Sequence, residues 1–151
     1  MRNQGYEQAL TKSGVKWRYE ASIPLDQINA TRGKQMQARL EPLDQGLIES
    51  YANMLNDGLE PPALLLWQQS PKSMYTPLDG NQRLAANAQA KAPNRKKSWD
   101  AYVLETDDPM IADRMCWSFN NMVNGRRLSY EESLEHAITM VRKYNQPVSS
   151  T

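Results

Sequence analysis

The stretch YTPLDGNQRLAANAQAKA, Tyr75 to Ala92, changes character in its middle. An extended, turn-prone run ending at Leu78 meets Asp79-Gly80 and passes through Asn81, Gln82 and Arg83 into a string of alanines, the strongest helix formers. Arg83 therefore falls in the first turn of a helix, where a positive charge opposes the macrodipole and faces unpaired N–H groups. An anion in the turn would reverse that penalty. Two readings stand side by side: Gly80 to Arg83 cradles a ligand, or Asp79-Gly80 is a tight turn feeding a helix with Arg83 in solvent.

Working outward, ALLLW (63–67) after Pro61-Pro62 is a short continuous apolar run, the profile of a strand buried on both faces. QQSPKS turns the chain, and Met74 to Leu78 returns as the second strand of a hairpin. The helix Asn81–Lys91 has small residues suited to close packing on a sheet. SWDAYVLE (98–105) alternates as a strand, and so does VKWRYEASI (15–23), closed by Pro24. Leu43, Leu47, Ile48, Tyr51, Ala52 and Leu55 share one face of a helix over 42–56, which Gly58 stops. Asp107 or Asp108 caps a helix with Pro109 in its first turn, running to Asn121. Ser129-Tyr130-Glu131-Glu132 opens a last helix as a capping box. The region 26–41 has no period and reads as a long, partly basic loop. The expected fold is α+β, a compact mixed sheet with helices and a C-terminal helical tail. The expected division is a flexible N-terminus over 1–14, a domain over 15–128, and a C-terminal helix and tail over 129–151.

Composition narrows the function. With 151 residues and 40% hydrophobic positions the chain suits one domain with a real core. The 18 basic and 17 acidic residues nearly cancel, which argues against a dedicated nucleic-acid coat while leaving local patches at Arg95-Lys96-Lys97 and Arg126-Arg127. Cys116 is the single cysteine, so no internal disulfide or Cys-rich zinc site can form; a buried structural thiol and a reducing cytoplasm fit it. No window approaches the ~20 apolar residues of a membrane span.

Several motifs in order resemble the N-terminal domain of ParB, in the ParB/sulfiredoxin superfamily, over roughly Ile23 to Ile138. IPLDQI resembles its opening strand and exit; Gln37-Ala38-Arg39 stands where the family has Gln-Pro-Arg; LIESYANMLNDGLEPPALLL resembles its helix, glycine turn and strand. DGNQRLAA resembles the phosphate-binding turn, usually Gly-Glu-Arg-Arg before a small-residue helix, and FNNMVNGRRLSYEE sits at the Glu-Asn-x-x-Arg segment. The resemblance implies a module that binds a nucleoside triphosphate, typically CTP with Mg²⁺, through Gly80, Asn81, Gln82 and Arg83, with Gln37, Arg39, Gly58 and Asn121 around the ligand. It also implies control of DNA or protein association, including self-association.

The departures have chemical meaning. Asn81 and Gln82 replace the family's Glu and first Arg, Pro61 replaces a Gln, Asn120 a Glu and Asn124 an Arg. An amide can neither serve as a general base nor replace a carboxylate on a cation, so hydrolysis is expected to be weak or absent. Sulfiredoxin chemistry requires a cysteine in the turn, where this chain has Asn81. A second hypothesis is a phosphoester-cleaving nuclease or a phosphotransferase, for which Asp79, Asp100 and Glu41 are the nearest carboxylates. A third is a scaffold that uses the fold for protein contacts alone.

Overall fold

The computed structural model describes residues 2–37 and 45–122. In chain order its elements are α1 (Gln4–Ser13), β1 (Trp17–Pro24), α2 (Ala30–Gln37), α3 (Gln45–Asn56), β2 (Leu64–Gln68), β3 (Thr76–Asp79), α4 (Asn81–Gln89), β4 (Ser98–Glu105) and α5 (Pro109–Met122), with 3-10 turns at Leu25–Gln27 and Ala92–Asn94. One mixed sheet has the order β1-β4-β2-β3. β2 and β3 form the expected antiparallel hairpin, β4 lies parallel to β2, and β1 is antiparallel to β4. A parallel neighbour cannot be reached through a tight turn, and α4 supplies the crossover. The α+β class follows from the sequence as read. The helix expected from Ser129, the tail, and the boundary at 128 lie outside the described residues.

β2 shows why its apolar run is unbroken. Leu64 and Leu66 face a cluster with Ile23, Leu55, Trp99, Ala101 and Val103, while Leu65 and Trp67 face the opposite one with Leu78, Tyr102, Leu104, Met115 and Phe119. Fully burying each such side chain contributes about 1.5–3 kcal/mol, so this strand anchors both layers. α1, α2 and α5 contribute side chains to the second layer. The small residues here divide: Ala86 of α4 packs with Ile48 and Ala52 of α3, whereas Ala90, which caps the C-terminus of α4, packs in the cluster on the sheet. The expected close packing on the sheet is accompanied by packing on α3.

Two expectations are corrected. Within the stretch 1–14, read as flexible, Gln4–Ser13 form α1, whose N-terminus is capped by the Asn3 side chain accepting from the Tyr6 N–H and whose Tyr6 and Leu10 are buried. Spacing of four places those two on one side, a signal diluted by the polar residues around them. The region 26–41, read as a loop, contains α2. Asn29 starts it by accepting from the Arg32 N–H at 3.0 Å, and the Arg32 guanidinium lies 4.8 Å from the Trp67 ring centre rather than in solvent.

Gly33 hid α2 from the sequence, since glycine weakens a helix interior by about 1 kcal/mol. Packing explains it: a Cβ there would lie 2.8 Å from both the Cδ and the carbonyl oxygen of Pro77 in β3, and 2.5 Å from Asn81 Oδ1. Backbone cannot yield as a side-chain tip can. Gly33→Ala should therefore destabilise by about 1–2 kcal/mol despite its better propensity. Urea denaturation checks this; a gain in stability would mean that α2 does not lie against β3 this closely.

Candidate functional site

β3 ends at Asp79, Gly80 turns the chain with φ +117°, and α4 begins at Asn81. Asp79 and Arg83, four residues apart across the turn, are 0% and 3% exposed. Arg83 Nη2 lies 3.3 Å from Asp79 Oδ1. Its Nη1 donates to the carbonyls of Pro62, at 3.1 Å, and Ala63. The guanidinium thus ties the entry of β2 to the end of β3 in the folded chain. The unfavourable charge in the first turn of α4 is offset by a carboxylate and two carbonyls, in place of the solvent of the blander reading.

The other oxygen of Asp79 accepts from the Tyr6 hydroxyl at 2.9 Å. Burial, and then the Asp79 charge, push the Tyr6 phenol well above its ordinary range, so it remains a donor. Its ring stacks on Tyr102 at 5.2 Å and tilts against Phe119 at 4.9 Å. The Tyr102 hydroxyl accepts from the Asn3 N–H at 2.7 Å and donates to Glu7 Oε2 at 2.7 Å. Beside these groups is a cavity of about 370 Å³ whose walls include Arg2, Tyr6, Tyr51, Asp79, Arg83 and Tyr102.

Gly80, Asn81, Gln82 and Arg83 all lie at this β3–α4 junction and are buried. Gln37 and Asn121 belong to α2 and α5, both of which pack against β3 and against each other. Arg39 lies outside the described residues. Gly58 ends α3 in a Schellman arrangement: its N–H bonds to the Leu55 carbonyl, and the Leu59 N–H bonds to that of Met54. Its φ of +76° serves that cap.

The remaining candidates have structural employment. Cys116 is buried, its thiol donating to the Leu78 carbonyl. In the basic run, Arg95 donates to the Ala90 carbonyl at 2.8 Å, and Lys96 pairs with Glu60 at 3.1 Å while lying over Trp99. Arg126 and Arg127 lie outside the described residues. Of the carboxylates considered for phosphoester cleavage, Asp79 is engaged by Arg83 and Tyr6, and Asp100 accepts from the Tyr19 hydroxyl and the Ser22 N–H at the irregularity in β1. Glu41 is outside the described residues. Among the described residues, no three His, Cys, Asp or Glu side chains are grouped as a cation site, and no helix is long and apolar enough to cross a membrane.

Sequence reasoning missed Tyr6, Tyr51 and Tyr102 as walls of this cavity. The sequence pattern places Tyr51 on a helix face and Tyr102 in a strand, and only the three-dimensional meeting of α1, α3, β3 and β4 makes them neighbours. Asn3 and Gly14, a cap and a stop around Tyr6 and Leu10, were the legible signals of α1.

No family model and no curated protein matches the chain. A solved structure does: that of the C2221 form of a Pnob8-like ParB-N domain, with a TM-score of 0.61 and 14% sequence identity, over 91% of this chain and 51% of that one. This chain thus spans about half the length of the structure it matches. At that identity the likeness speaks to fold alone. The chain has a ParB-N-like fold.

Proposed function

We propose that this is a ParB-like nucleotide-binding module of the cytoplasm, in which a nucleoside triphosphate, with CTP the first candidate, occupies the cavity beside the Gly80–Arg83 turn. Binding would regulate association with DNA or with another copy of the chain, with hydrolysis weak or absent. The observation that carries the reading is an aromatic-walled cavity of about 370 Å³ that Arg83, in the first turn of α4, lines together with Asp79. That volume falls among small-molecule sites, roughly 300–1,000 Å³.

The residues fit a phosphate if Glu60, a second carboxylate in the cavity wall, keeps its pairing with Lys96 and if Arg83 is freed from its own. The N-terminus of α4 favours an anion, but the Arg83 fork is directed at Asp79 and two carbonyls. A phosphate must therefore take the Nη2 side from Asp79. Mg²⁺ would be held chiefly by phosphate oxygens and water, as this ion commonly is.

The test is a thermal-shift screen with CTP, ATP, GTP and UTP, with and without Mg²⁺, at fixed salt. A ligand at 100 times its Kd stabilises by about 2.7 kcal/mol, which for a chain of this size raises Tm by roughly 5–10 °C. One nucleotide should give that saturable shift, with little phosphate release. No shift with any of the four would end the nucleotide reading.

A further inference from the structure

We propose that α1 is a gate over this cavity, latched by the Tyr6 hydroxyl on the Asp79 carboxylate, which opens as a unit to admit the ligand of the Gly80–Arg83 turn. The ligand clause rests on the function proposed above; the latch does not.

Three observations support the gate. First, Arg2, Asn3 and Tyr6 line the same cavity as Asp79 and Arg83, so the N-terminal end of α1 forms part of its wall. Second, only Tyr6 and Leu10 of α1 are buried. The other fastenings are polar or exposed: the Asn3 N–H and Glu7 carboxylate on the Tyr102 hydroxyl, Arg2 over Tyr19 at 4.9 Å, and the Trp17 indole on Thr11 at 3.3 Å. A helix held by two side chains and a few polar contacts belongs to the low-stability end of a fold, where local opening precedes global unfolding. Third, the latch ends on the carboxylate that neutralises Arg83. An anion taking Nη2 would press negative charge against Asp79, and a carboxylate that moves away leaves Tyr6 without that acceptor. Ligand and closed gate then oppose each other through one residue, the differential interaction that a two-state switch requires.

Hydrogen exchange on the full chain tests this. The amides of residues 7–13 should exchange faster than those of 101–104 in β4. Tyr6→Phe should accelerate the α1 amides about tenfold or more, the equivalent of a hydrogen bond to a charged group, and leave β4 unchanged. Asn3→Ala, which removes the exposed cap without touching the core, should accelerate α1 about fivefold. Equal protection of α1 and β4, or variants that speed both alike, would show an integral helix and overturn the gate.

Inorganic triphosphate, titrated in the same assay and by calorimetry, addresses the ligand clause. Binding accompanied by faster α1 exchange supports the gate. Binding that slows it or leaves it unchanged overturns the gate while sparing the anion site. If triphosphate and all four nucleotides fail to bind, the functional reading and the ligand clause fall together, and the exchange contrast in the free protein still decides the latch.

Discussion

Arg83→Ala is expected to lower stability by about 3–5 kcal/mol, the usual consequence of deleting one partner of a buried ion pair, and so to lower Tm by roughly 6–20 °C. The loss has three parts. Asp79, 0% exposed, loses its cation; the Pro62 and Ala63 carbonyls lose a shared donor; and the space once filled by the guanidinium is left beside Tyr51. Thermal or urea unfolding reads the sum. A loss below about 1 kcal/mol, the scale of an exposed pair, would mean that Arg83 is solvated and that the stitch between β2 and β3 does not form.

A double replacement separates charge from volume. Asp79→Leu combined with Arg83→Met removes both charges and keeps apolar bulk, and such exchanges are often neutral or stabilising. It should recover much of what Arg83→Ala loses. The same buried pairing makes loss of nucleotide binding in Arg83→Ala uninformative unless the variant is first shown to be folded. Arg83→Lys, which keeps the charge and loses the fork, is the better probe of phosphate recognition.

The legibility of this chain follows a physical division. β2, β3, β4 and α5 were readable because their signals are local: an unbroken apolar run, a hairpin turn, an alternation, an Asp-Pro start. α2 was not, because the reason for Gly33 is the backbone of Pro77, 44 positions away in the chain. Of the site, the Gly80–Arg83 turn was legible as strand, glycine and helix start. The partner of Arg83 was in view at Asp79, four residues earlier, but its burial depends on Tyr6 and on the carbonyls of Pro62 and Ala63. A sequence displays an i,i+4 pair without displaying whether solvent reaches it.

Gly80→Ala should be the sharpest single test of the turn itself, with an expected loss on the order of 4 kcal/mol from two separable sources. A φ of +117° lies beyond the region where even Asn is tolerated, a strain of about 1–3 kcal/mol for any residue with a Cβ. The added Cβ would also lie 2.3 Å from Leu64 Cδ2. Leu64 is completely buried in β2, so its methyl moves only by disturbing the layer formed with Trp99 and Val103; overpacking of this kind costs about 1–3 kcal/mol. Gly58→Ala is the internal control, because Gly58 has φ +76° with nothing within 4 Å of an added Cβ. It should lose about 1–2 kcal/mol, from the left-handed conformation alone. Equal losses at the two positions would show that β3 and α4 do not press on β2 at the turn. A larger loss at Gly80 supports the physical reason for glycine at that junction: the chain must turn into α4 where a strand already fills the space, and this turn brings Arg83 within reach of both Asp79 and the entry of β2.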